Sequence, residues 1–167
     1  MTVMLWRLDA DDIAGALEIA RYAMTWGLTM PTGRRPTPYL LAEEVALAAQ
    51  RLLAAKQPVE LANLLDTIAL TERADMPDIV RAKLHKITGY VLRDASQLPE
   101  ALAHLQRAIQ LERTIGVKKD IEQLERQLRP KPEPAPKTKT TKPRTRKPAA
   151  KPAARRGRPP KAAKAAG

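Results

Sequence analysis

The sequence predicts an all-α fold of about six antiparallel helices, followed by a basic tail with no core of its own. Apolar residues recur at three- and four-residue steps along most of the chain, and no run alternates as a strand would. Pro and Gly separate these runs at intervals of one helix length. After Leu128 the chain contains no Leu, Ile, Val, Met or aromatic residue, and nine of its 15 prolines lie within 130–160. We therefore expect a helical domain over residues 1–129 and a disordered tail over residues 130–167.

The totals narrow the class of protein. The 167 residues suffice for one domain of modest core plus the tail. The absence of Cys removes disulfides and cysteine metal sites, and it fits a reducing compartment. No apolar run approaches the roughly 20 residues that span a bilayer, and the N-terminus lacks the pattern of a secretory signal. We expect no membrane association.

The net charge of +12 is carried by one end of the chain. Residues 1–129 hold 17 Lys and Arg and 17 Asp and Glu, a net charge of zero. Residues 130–167 hold 13 basic residues and one acid, which accounts for the whole excess. Attraction to a polyanion is therefore expected first of the tail.

Residues 1–9 are predicted as a short lead-in. Asp9 or Asp11 can cap a first helix that begins near Asp12, and Gly27 ends it. Its apolar stripe comprises Ile13, Ala16, Leu17, Ala20, Ala23 and Met24.

Trp6 and Trp26 flank this first helix, and we expect both to pack in the core or at its edge rather than to bind a partner. Pro and Gly make the following stretch, 30–38, a loop. Arg34 and Arg35 at its tip are either phosphate contacts or ordinary solvated residues.

Two further helices are predicted over 39–56 and 58–73. The inward residues of the first are Leu41, Val45, Ala48, Ala49, Leu52 and Leu53. Those of the second are Leu61, Leu64, Leu65, Ile68 and Ala69. A break at 75–77 leads into the most informative part of the chain.

Residues 78–92 and 99–113 read as two helices joined by a turn, with Pro99 in the opening turn of the second. The apolar stripe of the first comprises Ile79, Val80, Leu84, Ile87 and Val91, and that of the second Ala101, Leu102, Leu105, Ala108 and Ile109. Gly116 then ends a turn before a last helix over 118–129, whose apolar side carries Ile121, Leu124 and Leu128.

Small residues add a second signal in this hairpin. Gly89, Ala101, Leu105 and Ala108 stand at offsets 0, 12, 16 and 19, as in a tetratricopeptide hairpin whose helices approach closely. His85 and Leu92 occupy the positions where that motif has aromatic residues. The spacing predicts an antiparallel helical hairpin, with tetratricopeptide-like geometry as a hypothesis. A single repeat cannot bury its own apolar face, so the hairpin must dock on the preceding helices or on another subunit.

The tail carries the candidate DNA-binding residues, which are Arg155, Arg156, Gly157, Arg158, Pro159, Lys161, Arg144, Arg146 and Lys147. The run Arg156-Gly157-Arg158-Pro159 resembles the AT-hook of high-mobility-group proteins. Gly157 lets an extended backbone lie on the floor of a narrow minor groove, where an inserted Arg is favoured. The basic residues upstream would add salt-sensitive phosphate contacts. The alternative is a solubilising tail with a chance match.

The helical part shows no convincing catalytic set. His85 and His104 are the only histidines, and no His-x-x-x-His spacing occurs. Paired carboxylates that could hold a metal ion are Asp11 with Asp12, Glu43 with Glu44, and Asp120 with Glu122, beside Lys118 and Lys119. We interpret them as solvated or capping residues, so the catalytic residues are unknown and no metal ligand is assigned. No glycine-rich phosphate loop is present, and no cofactor is expected, except Mg²⁺ if the chain is a nuclease.

Four segments together resemble the small terminase subunit of Peduovirus-type tailed phages, a family also labelled the terminase endonuclease subunit. They are 38–46, 73–86, 101–111 and 116–126, and the resemblance covers roughly residues 10–128. Its specific parts read Met-Pro-Asp-Ile-Val-Arg-Ala-Lys-Leu and Gly-Val-Lys-Lys-Asp-Ile-Glu.

The resemblance implies a DNA-packaging component in the host cytoplasm. Such a subunit binds double-stranded phage DNA at the cohesive-end site and acts with a large ATPase subunit, and a homo-oligomer is expected. Two alternatives stay open. The subunit is itself the metal-dependent endonuclease, or it is a helical-repeat scaffold whose tail tethers DNA without specificity.

Overall fold

The computed structural model describes residues 2–29 and 35–129, and within these ranges every regular element is an α-helix. In chain order the helices are α1 (Thr2–Asp9), α2 (Ile13–Thr25), α3 (Thr37–Ala54), α4 (Leu61–Thr71), α5 (Asp78–Asp94), α6 (Leu98–Leu111) and α7 (Lys118–Leu128). The predicted all-α class is confirmed, with one helix more than expected. None of the described helices is both long and apolar enough to cross a membrane.

Helix α1 corrects the prediction of a lead-in over residues 1–9. An eight-residue helix is marginal by itself in water, so tertiary packing must stabilise it. Met4 and Leu8 supply that packing, with 0% and 1% of their surface exposed. Arg51 of α3 adds a polar link, because its Nη2 donates to the Leu8 carbonyl at 2.7 Å and to Asp11 Oδ1 at 3.0 Å.

The N-terminal cap of α2 is Asp12, whereas the prediction named Asp9 or Asp11. The Asp12 carboxylate accepts a hydrogen bond from the Gly15 amide at 2.9 Å and another from Arg7 at 2.6 Å. The hydrogen bond from the Gly15 amide, followed by that from the Arg7 guanidinium, holds the pKa of Asp12 below its usual range. One side chain thus caps α2 and ties it to α1.

Four helices end on a residue with positive φ: Asp11 at 60°, Gly27 at 61°, Lys56 at 56° and Ser96 at 64°. In each case the next amide donates to a carbonyl five residues earlier, the pattern of a Schellman cap. These bonds join Asp12 to Arg7, Leu28 to Ala23, Gln57 to Leu52 and Gln97 to Leu92, at 2.8, 2.7, 2.9 and 2.9 Å. The predicted stop at Gly27 is confirmed, whereas the ends at Asp11, Lys56 and Ser96 use residues without glycine's conformational freedom.

Helix α4 faces the core differently from the prediction. Leu64 is fully buried, but Leu65 is 41% exposed and Ala69 is exposed as well. The inward face is completed by Thr67 and Thr71, whose hydroxyls donate to the carbonyls four residues earlier, each at 2.7 Å. Because these hydroxyls are satisfied within the helix, polar residues can occupy the core side. Apolar spacing alone therefore misplaced Leu65 and Ala69, whereas Leu64 and the partly buried Leu61 and Ile68 do face the core as predicted.

Ile79, Leu128 and the two tryptophans also lie farther out than expected. Ile79 is 36% and Leu128 37% exposed, while Trp6 is 64% and Trp26 67% exposed. The expectation that both tryptophans pack in the core or at its edge is wrong. Met4 and Leu8 occupy the inward positions of α1, and the core stripe of α2 ends at Ala23.

The α5–α6 hairpin is the most extensive helix–helix contact in the described structure. A Cβ atom added at Gly89 would lie 2.7 Å from Leu105 Cδ2 and 3.3 Å from the Ala101 carbonyl oxygen. Ala101, Leu105 and Ala108 are fully buried. The small residues predicted from their spacing therefore do stand where the two helices approach closely.

Helix α7 is fastened to this hairpin by apolar and polar contacts. Leu124 and the preceding Val117 are at most 1% exposed and pack with Leu92 and Leu105. The Asp120 carboxylate accepts a hydrogen bond from the Tyr90 hydroxyl at 3.1 Å and lies 3.4 Å from the guanidinium of Arg93.

Replacing Gly89 by Ala should destabilise the protein by about 1–3 kcal/mol, because the new methyl group overlaps Leu105 in a closely packed interface. The urea-unfolding midpoint measures this change. Leu105→Val removes bulk at the same point, so the double variant should lose less than the sum of the two single losses. An unchanged midpoint for Gly89→Ala would contradict the close contact.

Candidate nucleic-acid interface

All nine predicted DNA-binding residues lie outside the described residues. These are Arg144, Arg146, Lys147, Arg155, Arg156, Gly157, Arg158, Pro159 and Lys161. Their role stays a prediction from the sequence.

The helical part, residues 1–129, has zero net charge, but its two halves carry opposite net charges. Residues 1–79 hold 11 acidic and 7 basic residues, a net charge of −4, whereas residues 80–129 hold 6 acidic and 10 basic residues, a net charge of +4. In the described part of the chain, Lys83, Lys118 and Lys119 have no carboxylate within 4.0 Å. The positive charge of the second half is thus left largely uncompensated at its surface.

Three of the four carboxylates in the first two pairs considered for a nuclease have structural partners. Asp11 pairs with Arg51, and Asp12 caps α2. Glu43 pairs with Arg35. Glu44 is half-buried, and burial, with the nearby carboxylate of Glu43, raises its pKa.

The third pair behaves in the same way. Asp120 joins Tyr90 and Arg93. Burial, together with the Asp120 carboxylate, raises the pKa of Tyr90 to about 12, which keeps the hydroxyl protonated as a donor. Glu122 lies exposed on α7. Across residues 2–29 and 35–129, no group of three or more His, Asp or Glu side chains could hold a metal ion.

Arg35 is held by the folded chain at one end of the predicted phosphate-contact loop. Besides its pairing with Glu43, its guanidinium lies 5.4 Å from the centre of the Tyr39 ring. Arg34 falls outside the described residues. The expectation of a phosphate contact at this loop gains no support from Arg35.

The two histidines form a pair that the sequence did not reveal. His85 of α5 and His104 of α6 approach with their Nδ1 atoms 3.0 Å apart. One imidazole must donate its Nδ1 proton and the other must accept it. The residues are 19 positions apart, so only the register of the hairpin brings them together. His85 occupies one of the tetratricopeptide-type aromatic positions, and that assignment was the only available signal.

Both histidines favour the neutral state. Burial, reinforced by His104, Arg107 and Arg81, lowers the pKa of His85 to about 4. Burial also lowers the pKa of His104, while Glu100 acts in the opposite direction. Arg81 itself is engaged, since its guanidinium donates to the carbonyls of Thr71, Glu72 and Ala74 at the end of α4. This cluster therefore fastens α4, α5 and α6 and presents no free catalytic group.

The histidine pair predicts a loss of stability in mild acid. Because the pKa of folded His85 lies below its ordinary value of 6.5, the unfolded chain binds more protons between pH 6.5 and about 4. The free energy of unfolding should fall across that window by on the order of 1 kcal/mol, after allowance for partial solvent screening. Urea unfolding at pH 7 and pH 5 measures the change. A His85→Gln/His104→Gln variant should show a smaller drop, and an equal drop would refute the assignment.

Two comparisons with known proteins found relatives of this chain, one over its first half and one over nearly its whole length. The sequence profile of the family described as "Phage small terminase subunit" matches residues 1–79, which include α1–α4. A relative named "Terminase, endonuclease subunit", from Escherichia phage P2, is 62% identical over 164 residues. The alignment covers 98% of this chain and 66% of the relative, so the chain spans just under two thirds of the relative's length. No solved structure matches the chain. Over residues 1–79 the chain is similar to the phage small terminase subunit family, and over nearly its whole length it is similar to the phage P2 terminase subunit.

Proposed function

We propose that this chain is the DNA-recognition subunit of a phage terminase. It binds double-stranded phage DNA at the packaging, or cohesive-end, site and acts with the large ATPase subunit in genome cleavage and packaging in the host cytoplasm. The observation that carries the proposal is the charge distribution. A helical part of zero net charge is followed by a tail that holds 13 basic residues and one acid. Similarity to the small terminase family indicates that the polyanion bound by this tail is phage DNA.

The two parts of the chain have different tasks in this proposal. Residues 130–167 hold DNA, because Lys and Arg that neutralise phosphates release condensed counterions. The run Arg156-Gly157-Arg158-Pro159 adds a preference for the narrow minor groove of A·T-rich DNA. Residues 1–129 assemble the subunit into a homo-oligomer and present it to the large subunit. Exposed aromatic side chains on the helical part, such as Tyr22 and Trp26, support this assembly role.

Removing the tail should abolish most of the DNA affinity. We compare the full chain with a chain that ends at Arg129, in gel shifts over a series of salt concentrations. For the full chain, log K should fall with log salt at a slope of about −5 or steeper, and the shortened chain should bind at least about 100-fold more weakly with a shallow slope. Equal affinity and equal slope for both would overturn the role of the tail. If neither binds DNA while both recover protein partners in a pull-down, the scaffold alternative is favoured.

The minor-groove preference is tested in the full chain with Arg156→Gln/Arg158→Gln. This variant should lose its discrimination between A·T-rich and G·C-rich duplexes, because the two inserted guanidinium groups are gone. The matched control is Arg144→Gln/Arg146→Gln, which removes two charges from the same tail. The control should weaken binding to both duplexes equally. Identical behaviour of the two variants would reduce the tail to a non-specific binder.

The second candidate function is the endonuclease itself, and the name of the phage P2 relative favours it. Our main proposal expects no nicking when the full chain is incubated alone with Mg²⁺ and DNA that bears the packaging site. Nicking that disappears in Glu43→Gln, Glu44→Gln, Asp120→Asn or Glu122→Gln would instead place the reaction in this chain. Nicking that survives all four substitutions would point to a contaminating nuclease.

A further inference from the structure

The outer face of α2 carries an acidic and aromatic stripe. Glu18, Tyr22 and Trp26 follow one another at four-residue steps and are all exposed, Tyr22 by 62% and Trp26 by 67%. The Tyr22 and Trp26 rings lie 6.2 Å apart between their centres. Two adjacent large aromatic side chains left in water mark a surface that another molecule covers. We call these three residues the α2 stripe.

The described structure also contains a groove between α3 and α5 with a volume of about 490 Å³. Its lining is mainly apolar and includes Leu47, which is 39% exposed, Leu53 and Ile87. Lys83 and Lys86 line it as well. We call this surface the α3–α5 groove.

The two lysines of the groove have no carboxylate partner among the described residues. Lys86 donates to the carbonyl of Ile115 at 3.0 Å, and its ammonium group lies 5.9 Å from the centre of the Tyr90 ring. Neither Lys83 nor Lys86 has a carboxylate of the described residues within 4.0 Å. A fitting occupant therefore offers large apolar side chains together with a carboxylate. Nucleic acid meets the charge but offers no apolar side chains for this floor.

The α2 stripe offers that combination, but not to the groove of its own copy. Helix α2 packs on α1, α3 and α4 and does not contact α5. The half of the chain that contains the stripe has a net charge of −4, and the half that supplies Lys83 and Lys86 has a net charge of +4. Opposite charges on separate surfaces of one chain attract two copies head to tail.

We propose that the α2 stripe of one copy docks in the α3–α5 groove of the next. Tyr22 and Trp26 cover the apolar floor, and Glu18 faces Lys83 and Lys86. The contact is heterologous, because each copy contributes a different surface, so repetition produces a closed ring or an open filament. This proposal rests on the homo-oligomer of the proposed function and specifies its interface. It does not require that the tail binds DNA.

The test measures the molar mass of full-length protein by light scattering after size exclusion. The stripe variant is Tyr22→Ser/Trp26→Ser, and the groove variant is Leu47→Ser/Lys83→Glu. Their matched controls are Trp6→Ser and Lys119→Glu, which alter an exposed tryptophan and an exposed lysine elsewhere. All substituted side chains are exposed, and circular dichroism confirms that each variant keeps its helices.

We expect the natural chain and both controls to have the same multiple of the single-chain mass, and each interface variant to have the mass of one chain. An equimolar mixture of the two interface variants should produce a complex of two chains, because one retains an intact groove and the other an intact stripe. A second pair of substitutions tests the charges. Glu18→Lys should weaken assembly at least about tenfold, and adding Lys83→Glu should restore it.

A natural chain that stays a single copy overturns the proposal, as do interface variants that keep the natural mass. A mixture that contains only single chains overturns the head-to-tail arrangement in favour of a symmetric contact. Gel shifts on the same samples report the proposed function separately. Loss of DNA binding by an assembled protein would refute the tail's role and leave the interface standing.

Discussion

The close approach of α5 and α6 at Gly89 is the constraint on which the rest of this structure depends. Leu105 lies directly over the hydrogen atoms of Gly89, and the Ala101 carbonyl is near enough to exclude a larger side chain. This contact sets the register of the hairpin, which pairs His85 with His104. Helix α5 also packs on α3 and α4, so an error in this register would propagate into the main core and the α3–α5 groove.

The helices were largely predictable, because the spacing of apolar residues and the positions of Pro and Gly at helix ends are local properties of the sequence. The runs over α2, α3, α5 and α6 follow a 3.6-residue period, and Pro99 and Gly27 stand where such helices begin and end. The failures arose where tertiary packing overrode local pattern. Helix α1 is too short to predict, and its stability comes from burying Met4 and Leu8. On α4, Thr67 and Thr71 satisfy their own hydroxyls and take core positions that spacing alone assigns to Leu65 and Ala69.

The candidate functional surfaces also differ in how far the sequence predicts them. The tail is recognisable from composition, because a segment with 13 basic residues and no large apolar side chain is expected to have no core and to attract polyanions. The α2 stripe and the α3–α5 groove are invisible before folding, since each depends on which face of a helix is left uncovered. The exposure of Trp26 shows this most clearly, because a lone Trp beside an apolar helix normally packs inward. The helix packing therefore supplies candidate surfaces for the assembly that the proposed function requires.

The burial of α1 has a consequence for the order of events during synthesis. Met4 and Leu8 are synthesised before the residues that cover them, because α1 packs on α2 and α3, and Arg51 at the far end of α3 closes the turn after α1. An isolated segment of this length does not hold a helix. The apolar side chains of α1 therefore stay uncovered during synthesis until the residues of α3 have left the exit tunnel. Chaperone contact and aggregation are most probable during that interval.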